Sequence, residues 1–198
     1  MKKLLILAML SISLGVSAQK IKLIEGDLSP LKGQKSVNTE FVYDGMTVTT
    51  KNRPEDEYLA EKTAEYNKKE PGKGDKWAVA WKEDRKTRFE PQFRELFTKH
   101  SEMSSASDEK ATYTLIFKTT STETGYNIGI SKRPAYIDGE LSIVETANKS
   151  KVIAKITILN VVGSQFGGFD FETGARLQEC YAKAGKELGA FIRKKTEK

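Results

Sequence analysis

The hydrophobic pattern of this 198-residue chain changes period along its length, and that order constrains the fold more than any single motif. From Thr112 onward, Tyr113, Leu115 and Phe117 share one face of an alternating stretch whose other face is rich in threonine. Leu141 and Ile143 mark a second such stretch. Val152, Ala154, Ile156 and Ile158 mark a third, joined to the second by a polar turn at Ala147 to Ser150. Period two belongs to a strand with one buried face, and strands joined by a short polar turn run antiparallel. After them Leu177, Tyr181, Ala184, Leu188, Phe191 and Ile192 recur at three- and four-residue spacing, the apolar stripe of a helix about four turns long. Gly185 and Gly189 sit within that helix at a cost in propensity, which points to close approach of a sheet or a neighbour.

The first half adds an edge strand at Ile21 to Ile24 and a helical region. Val37 to Tyr43 and Met46 to Thr50 both alternate, and Asp44-Gly45 lies between them, a pair that tolerates the positive φ of a tight hairpin turn. A β-hairpin is expected there. Pro54 followed by Glu55-Asp56-Glu57 starts a helix, and the run Glu70-Pro71-Gly72-Lys73-Gly74 breaks it. Trp77 and Trp81 lie one turn apart on a second helix, and Pro91 is expected to end it and open the next. Trp77, Trp81, Phe89, Phe93 and Phe97 follow helical spacing, so core packing is favoured for them over ligand stacking. Four serines between Ser101 and Asp108 mark a linker or surface loop. The sum is an α+β domain: an antiparallel β-sheet with packed helices, including a long C-terminal helix.

At the N-terminus, Lys2 and Lys3 precede an apolar stretch from Leu4 to Val16, and Val16-Ser17-Ala18 supplies small residues before Gln19. These are the parts of a secretory signal peptide, so residues 1–18 are expected to be removed and residues 19–198 to form a single domain, periplasmic or secreted. The stretch falls short of the about 20 apolar residues that a span requires, and no later run reaches that length. Cys180 stands alone, so neither an intramolecular disulfide nor a lipid anchor beside the apolar stretch is available, and its setting suits a small buried side chain. The 33 basic and 27 acidic residues give a net charge of +6, but the signs interleave. Nucleic-acid binding, which rewards clustered cations, is not expected; the cluster Arg193-Lys194-Lys195 suits the end of a helix.

The common hydrolytic sets are missing from the sequence. A triad needs an imidazole, and the single histidine, His100, has no nucleophile elbow to serve. One His and one Cys do not make a usual zinc site, and no EF-hand pattern is present. No cofactor is expected. Asp138 with Glu140 and Asp170 with Glu172 are the candidate acid pairs for a carboxylate-dependent hydrolase of envelope glycan, the alternative to a binding role. The glycine-rich stretch from Gly163 to Gly174 lacks a Gly-Lys-Ser/Thr ending, and its two acids argue against phosphate and for helix capping.

Two aromatic loops remain as binding candidates. Phe166, Phe169 and Phe171 lie in the glycine-rich stretch and either form a patch for a partner or cover the end of the core. Tyr126, Arg133 and Tyr136 interleave aromatic and basic groups around Gly129, a composition suited to acidic or sugar ligands. The segment Tyr181-Ala182-Lys183-Ala184-Gly185-Lys186-Glu187-Leu188, with the leading signal and the strand-rich middle, resembles uncharacterised exported proteins of Gram-negative bacteria. That resemblance implies an envelope location and assigns no residue a role. The expected function is therefore a non-catalytic binding or interaction module meeting a protein or small ligand of the cell envelope. Self-association through the Gly185 and Gly189 helix face is a further option.

Overall fold

A computed structural model describes residues 20–107, 110–127, 130–163 and 173–197. The expected signal peptide, the Phe166, Phe169 and Phe171 cluster and the acids Asp170 and Glu172 lie outside them. The domain is α+β, as the change of period requires.

Ten strands and four helices follow in chain order among the described residues: β1 (Lys20–Gly26), β2 (Ser36–Val42), β3 (Thr47–Val48), β4 (Arg53–Pro54), α1 (Glu55–Lys69), α2 (Lys73–Asp84), α3 (Glu90–Ser101), β5 (Ser104–Ala106), β6 (Tyr113–Glu123), β7 (Tyr126–Asn127), β8 (Lys132–Arg133), β9 (Tyr136–Glu145), β10 (Asn148–Val162) and α4 (Thr173–Thr196). The main sheet has the order β1-β10-β9-β6-β2-β5. From β1 to β6 every pairing is antiparallel, and β2 joins β6 and β5 in parallel.

The Asp44-Gly45 expectation fails in an instructive way. Met46 N–H does donate to the Tyr43 carbonyl at 3.1 Å, closing a tight turn, yet the chain does not reverse onto itself. β2 pairs with residues 114–118 of β6, and β3 resumes along the same strand, opposite Ser121 and Thr122. The turn is a kink in one line of parallel pairing, and the antiparallel partner of β3 is β4. The serine-rich 101–108 region likewise contributes a strand, β5, beside β2.

Pro91 opens α3 as expected, but it is not what ends the preceding helix. A wide π turn at Arg85–Phe89 links α2 directly to α3, and Pro91 sits in the first turn of α3, where its missing N–H costs little. The aromatic series therefore projects into the core from one continuous helical run. Phe93 and Phe97 are fully buried, Phe93 packs 4.9 Å from Phe117 of β6, and Phe89 stacks on Tyr181 of α4 at 4.8 Å. Leu115, Ile137, Leu141, Ile143, Ile156 and Ile158 complete the buried face of the sheet. Its other face carries Lys118, Glu140 and Thr157 in one cross-strand row.

α4 closes the core through Leu177, Cys180, Tyr181, Ala184, Leu188 and Ile192. The two helix glycines face α3, not a second copy of the chain. Gly185 and Gly189 lie against the Phe93 and Phe97 backbones, so the surface suggested for self-association is consumed inside the fold. No helix of the described residues is long and apolar enough to cross a membrane.

Candidate functional site: a braced hairpin beside a buried carboxylate

Strand β6 ends on Glu123, whose side chain is 5% exposed. A carboxylate placed there needs donors. It receives the Thr50 N–H on Oε2 and the Gly125 N–H on Oε1, both at 3.0 Å. Gly125, at φ +63°, makes the bend that brings its own N–H back onto Glu123. Arg176 of α4 ties down the same corner, donating to the Thr124 carbonyl at 2.9 Å and the Gly125 carbonyl at 3.3 Å.

From this corner β7 and β8 rise as a separate two-stranded sheet. Tyr126 opposes Arg133 and Asn127 opposes Lys132. The Arg133 guanidinium lies 6.0 Å from the Tyr126 ring centroid, 3.6 Å from Glu123 Oε2 and 3.3 Å from Thr50 Oγ1. The Tyr126 hydroxyl is 3.2 Å from the Ser131 hydroxyl. Ile130 is 99% exposed and Tyr126 40% exposed.

Two of the sequence candidates, Tyr126 and Arg133, are thus cross-strand neighbours. Tyr136 belongs to the base: it opens β9, opposite Glu123 on one side and Val162 on the other. Burial, with the Asp138 and Glu123 carboxylates, pushes its hydroxyl pKa up, and Arg133 opposes them. Glu123, which organises the corner, gives no sequence signal, because it reads as the last residue of a threonine-rich strand.

An open cleft of about 740 Å³ lies between Tyr43–Thr47 and the start of α1, lined also by Lys82 and Arg85. Glu55 is its central acid. Its carboxylate accepts from Trp81 Nε1 at 2.5 Å, Lys82 Nζ at 2.9 Å and the Arg85 guanidinium, which also rests 4.2 Å from the Tyr43 ring centroid. Burial works to raise the Glu55 pKa, but the bonds from Arg85, Lys82 and Trp81 outweigh it and hold the carboxyl below its ordinary value. A general acid needs the opposite tuning.

Asp138, half of the sequence-level acid pair on β9, is committed to the Asn160 N–H at 2.6 Å and the Ser121 hydroxyl at 2.8 Å. A second groove, about 460 Å³, is walled by Tyr66, Trp77, Trp81, Phe89 and Leu177. Trp81 is buried and Trp77 half-buried, so packing accounts for most of both rings. Among the described residues no three His, Cys, Asp or Glu side chains converge to hold a metal.

The class so defined is an α+β domain with one sheet face covered by helices and a hairpin standing off the sheet. No protein-family model matches the chain, and no curated protein matches it. Three solved structures are similar in outline. A PelC dodecamer from Paraburkholderia phytofirmans is 11% identical with a TM-score of 0.42, covering 87% of this chain and 99% of that one. Its L103M form is 11% identical with a TM-score of 0.40, covering 87% and 98%. A DUF330 protein from Xanthomonas campestris is 10% identical with a TM-score of 0.35, covering 87% and 93%. At these scores the likeness carries no argument about function.

Proposed function

We propose that this chain is an exported envelope protein that acts by binding, with the β7–β8 hairpin as its contact element and a protein or small ligand of the cell envelope as its partner. The leading segment, with its basic, apolar and small-residue parts, supports export. The observation that carries the binding reading is the contrast within the hairpin: its base is fixed by Glu123, Thr50 and Arg176, and its outer part turns Tyr126 and Ile130 to solvent. A contact element whose base is already held loses less conformational entropy on binding than a free loop does.

Two measurements test this. The mass of the chain recovered from an envelope fraction should correspond to a start at Gln19; recovery of the intact chain from the cytosol overturns export. A photo-crosslinking residue at position 126 should capture a discrete species in cells, and one at Val79, exposed on α2, should not. Equal labelling from both positions overturns the hairpin as the contact element.

A further inference from the structure

We propose that the β7–β8 hairpin docks on an anionic lipid surface, with Ile130 and Tyr126 entering the headgroup boundary and Lys132 and the half-exposed Arg133 facing the acidic headgroups. The proposal rests on the reading of the hairpin as the contact element and names what it contacts.

Ile130 is an aliphatic side chain 99% exposed, so its transfer from water into an apolar layer is favourable in full. Tyr126, on the facing strand, joins an apolar ring to a hydroxyl, the combination that suits the boundary between water and acyl chains. Lys132 and Arg133 form β8, opposite Asn127 and Tyr126, and both are exposed. The carboxylate at this corner, Glu123, is buried, accepts from Thr50 and Gly125 and offsets part of the Arg133 charge at 3.6 Å, while the Arg133 side chain stays 48% exposed and Lys132 is exposed with no acid of its own among the described residues of the corner. Apolar and aromatic tips flanked by cations bind membranes through two additive effects, insertion of apolar surface and attraction to acidic lipid. β7 and β8 pair only with each other, so contact through Tyr126 and Ile130 leaves the pairing of the main sheet intact.

The chain is mixed with phosphatidylcholine vesicles, with and without phosphatidylglycerol, and bound protein is read by co-sedimentation. It should bind the phosphatidylglycerol vesicles and leave the neutral ones, with partitioning reduced about tenfold or more by Ile130→Ser or Lys132→Glu. Val79→Ser should bind as the parent does, and circular dichroism should confirm that all variants fold. Failure to bind the acidic vesicles, or binding that survives Ile130→Ser, overturns the proposal. If acidic vesicles are refused but a crosslinker at position 126 still captures a discrete protein, the lipid partner is wrong and the hairpin reading stands. If neither occurs, both fall.

Discussion

Gly185 of α4 is pressed against Phe93 of α3 so closely that a Cβ on the glycine would stand 2.2 Å from the Phe93 carbonyl oxygen. One turn later Gly189 meets Phe97, where the same construction gives 2.8 Å. The absence of two side chains lets α3 and α4 touch by backbone, and that contact sets how deeply Phe93, Phe97 and Leu188 reach the sheet. Alanine at position 185 would gain about 1 kcal/mol in helix propensity but would force the helices apart. Gly185→Ala is therefore expected to destabilise the domain by about 1–2 kcal/mol net, and Gly189→Ala by less. Urea unfolding of both variants checks the order; an unchanged midpoint for Gly185→Ala contradicts the close contact.

Glu55 predicts an acid-sensitive corner. Its carboxyl titrates below the ordinary value of 4.5 in the folded chain, so its contribution is present above that pH and is lost as the pH falls through the folded value. The parent should lose stability on acidification below about pH 4.5 more steeply than Glu55→Gln. At neutral pH the glutamine variant should already be weaker by about 1–3 kcal/mol, because Arg85, with a side chain only 15% exposed, loses its counter-charge. Parallel unfolding curves across this pH range would refute the assignment.

The parts of the fold legible in the sequence are those whose signal is local. The stripe from Leu177 to Ile192 states a helix and its buried face, and the alternation on β6, β9 and β10 states strands and their buried sides. Asp44-Gly45 shows where local reading stops. The pair does make a turn, but whether a turn produces a hairpin depends on which strand takes the following residues, and here β6, some seventy positions later, takes both sides. Pro91 is similar: it marks the first turn of α3, but the π turn that joins α2 to α3 ahead of it leaves no compositional mark. In the candidate site, composition marks the loop that carries Tyr126, Arg133 and Tyr136, but not the cross-strand pairing of Tyr126 with Arg133. Glu123 is not legible either, because Thr50, the donor to its Oε2, lies 73 positions earlier in the chain.

Cys180 should behave as a structural thiol. It is fully buried in α4, its Sγ lies 3.3 Å from the Arg176 carbonyl, and burial above all pushes its pKa up to about 12. The thiolate is the reactive species, so a disulfide-exchange reagent at pH 8 should label the folded chain far more slowly than the chain in denaturant. Rapid labelling under native conditions would mean that α4 opens readily or that the site is not buried.

The hydroxyl of Tyr181, completely enclosed between α4 and the sheet, meets the Thr119 hydroxyl of β6 at 2.7 Å. Each hydroxyl sits in an apolar setting beside Phe89 and Phe117, so either becomes costly when its partner is removed. Tyr181→Phe should cost about 1–2 kcal/mol, since it leaves the Thr119 hydroxyl buried and unpaired. Thr119→Val, which keeps the shape, should cost a similar amount for the converse reason. The double variant removes both polar groups at once and is expected to be less destabilised than the sum of the singles by about 1 kcal/mol or more. Additive losses in a double-mutant cycle would show that the two hydroxyls do not depend on each other and that Tyr181 holds α4 to the sheet through its ring alone.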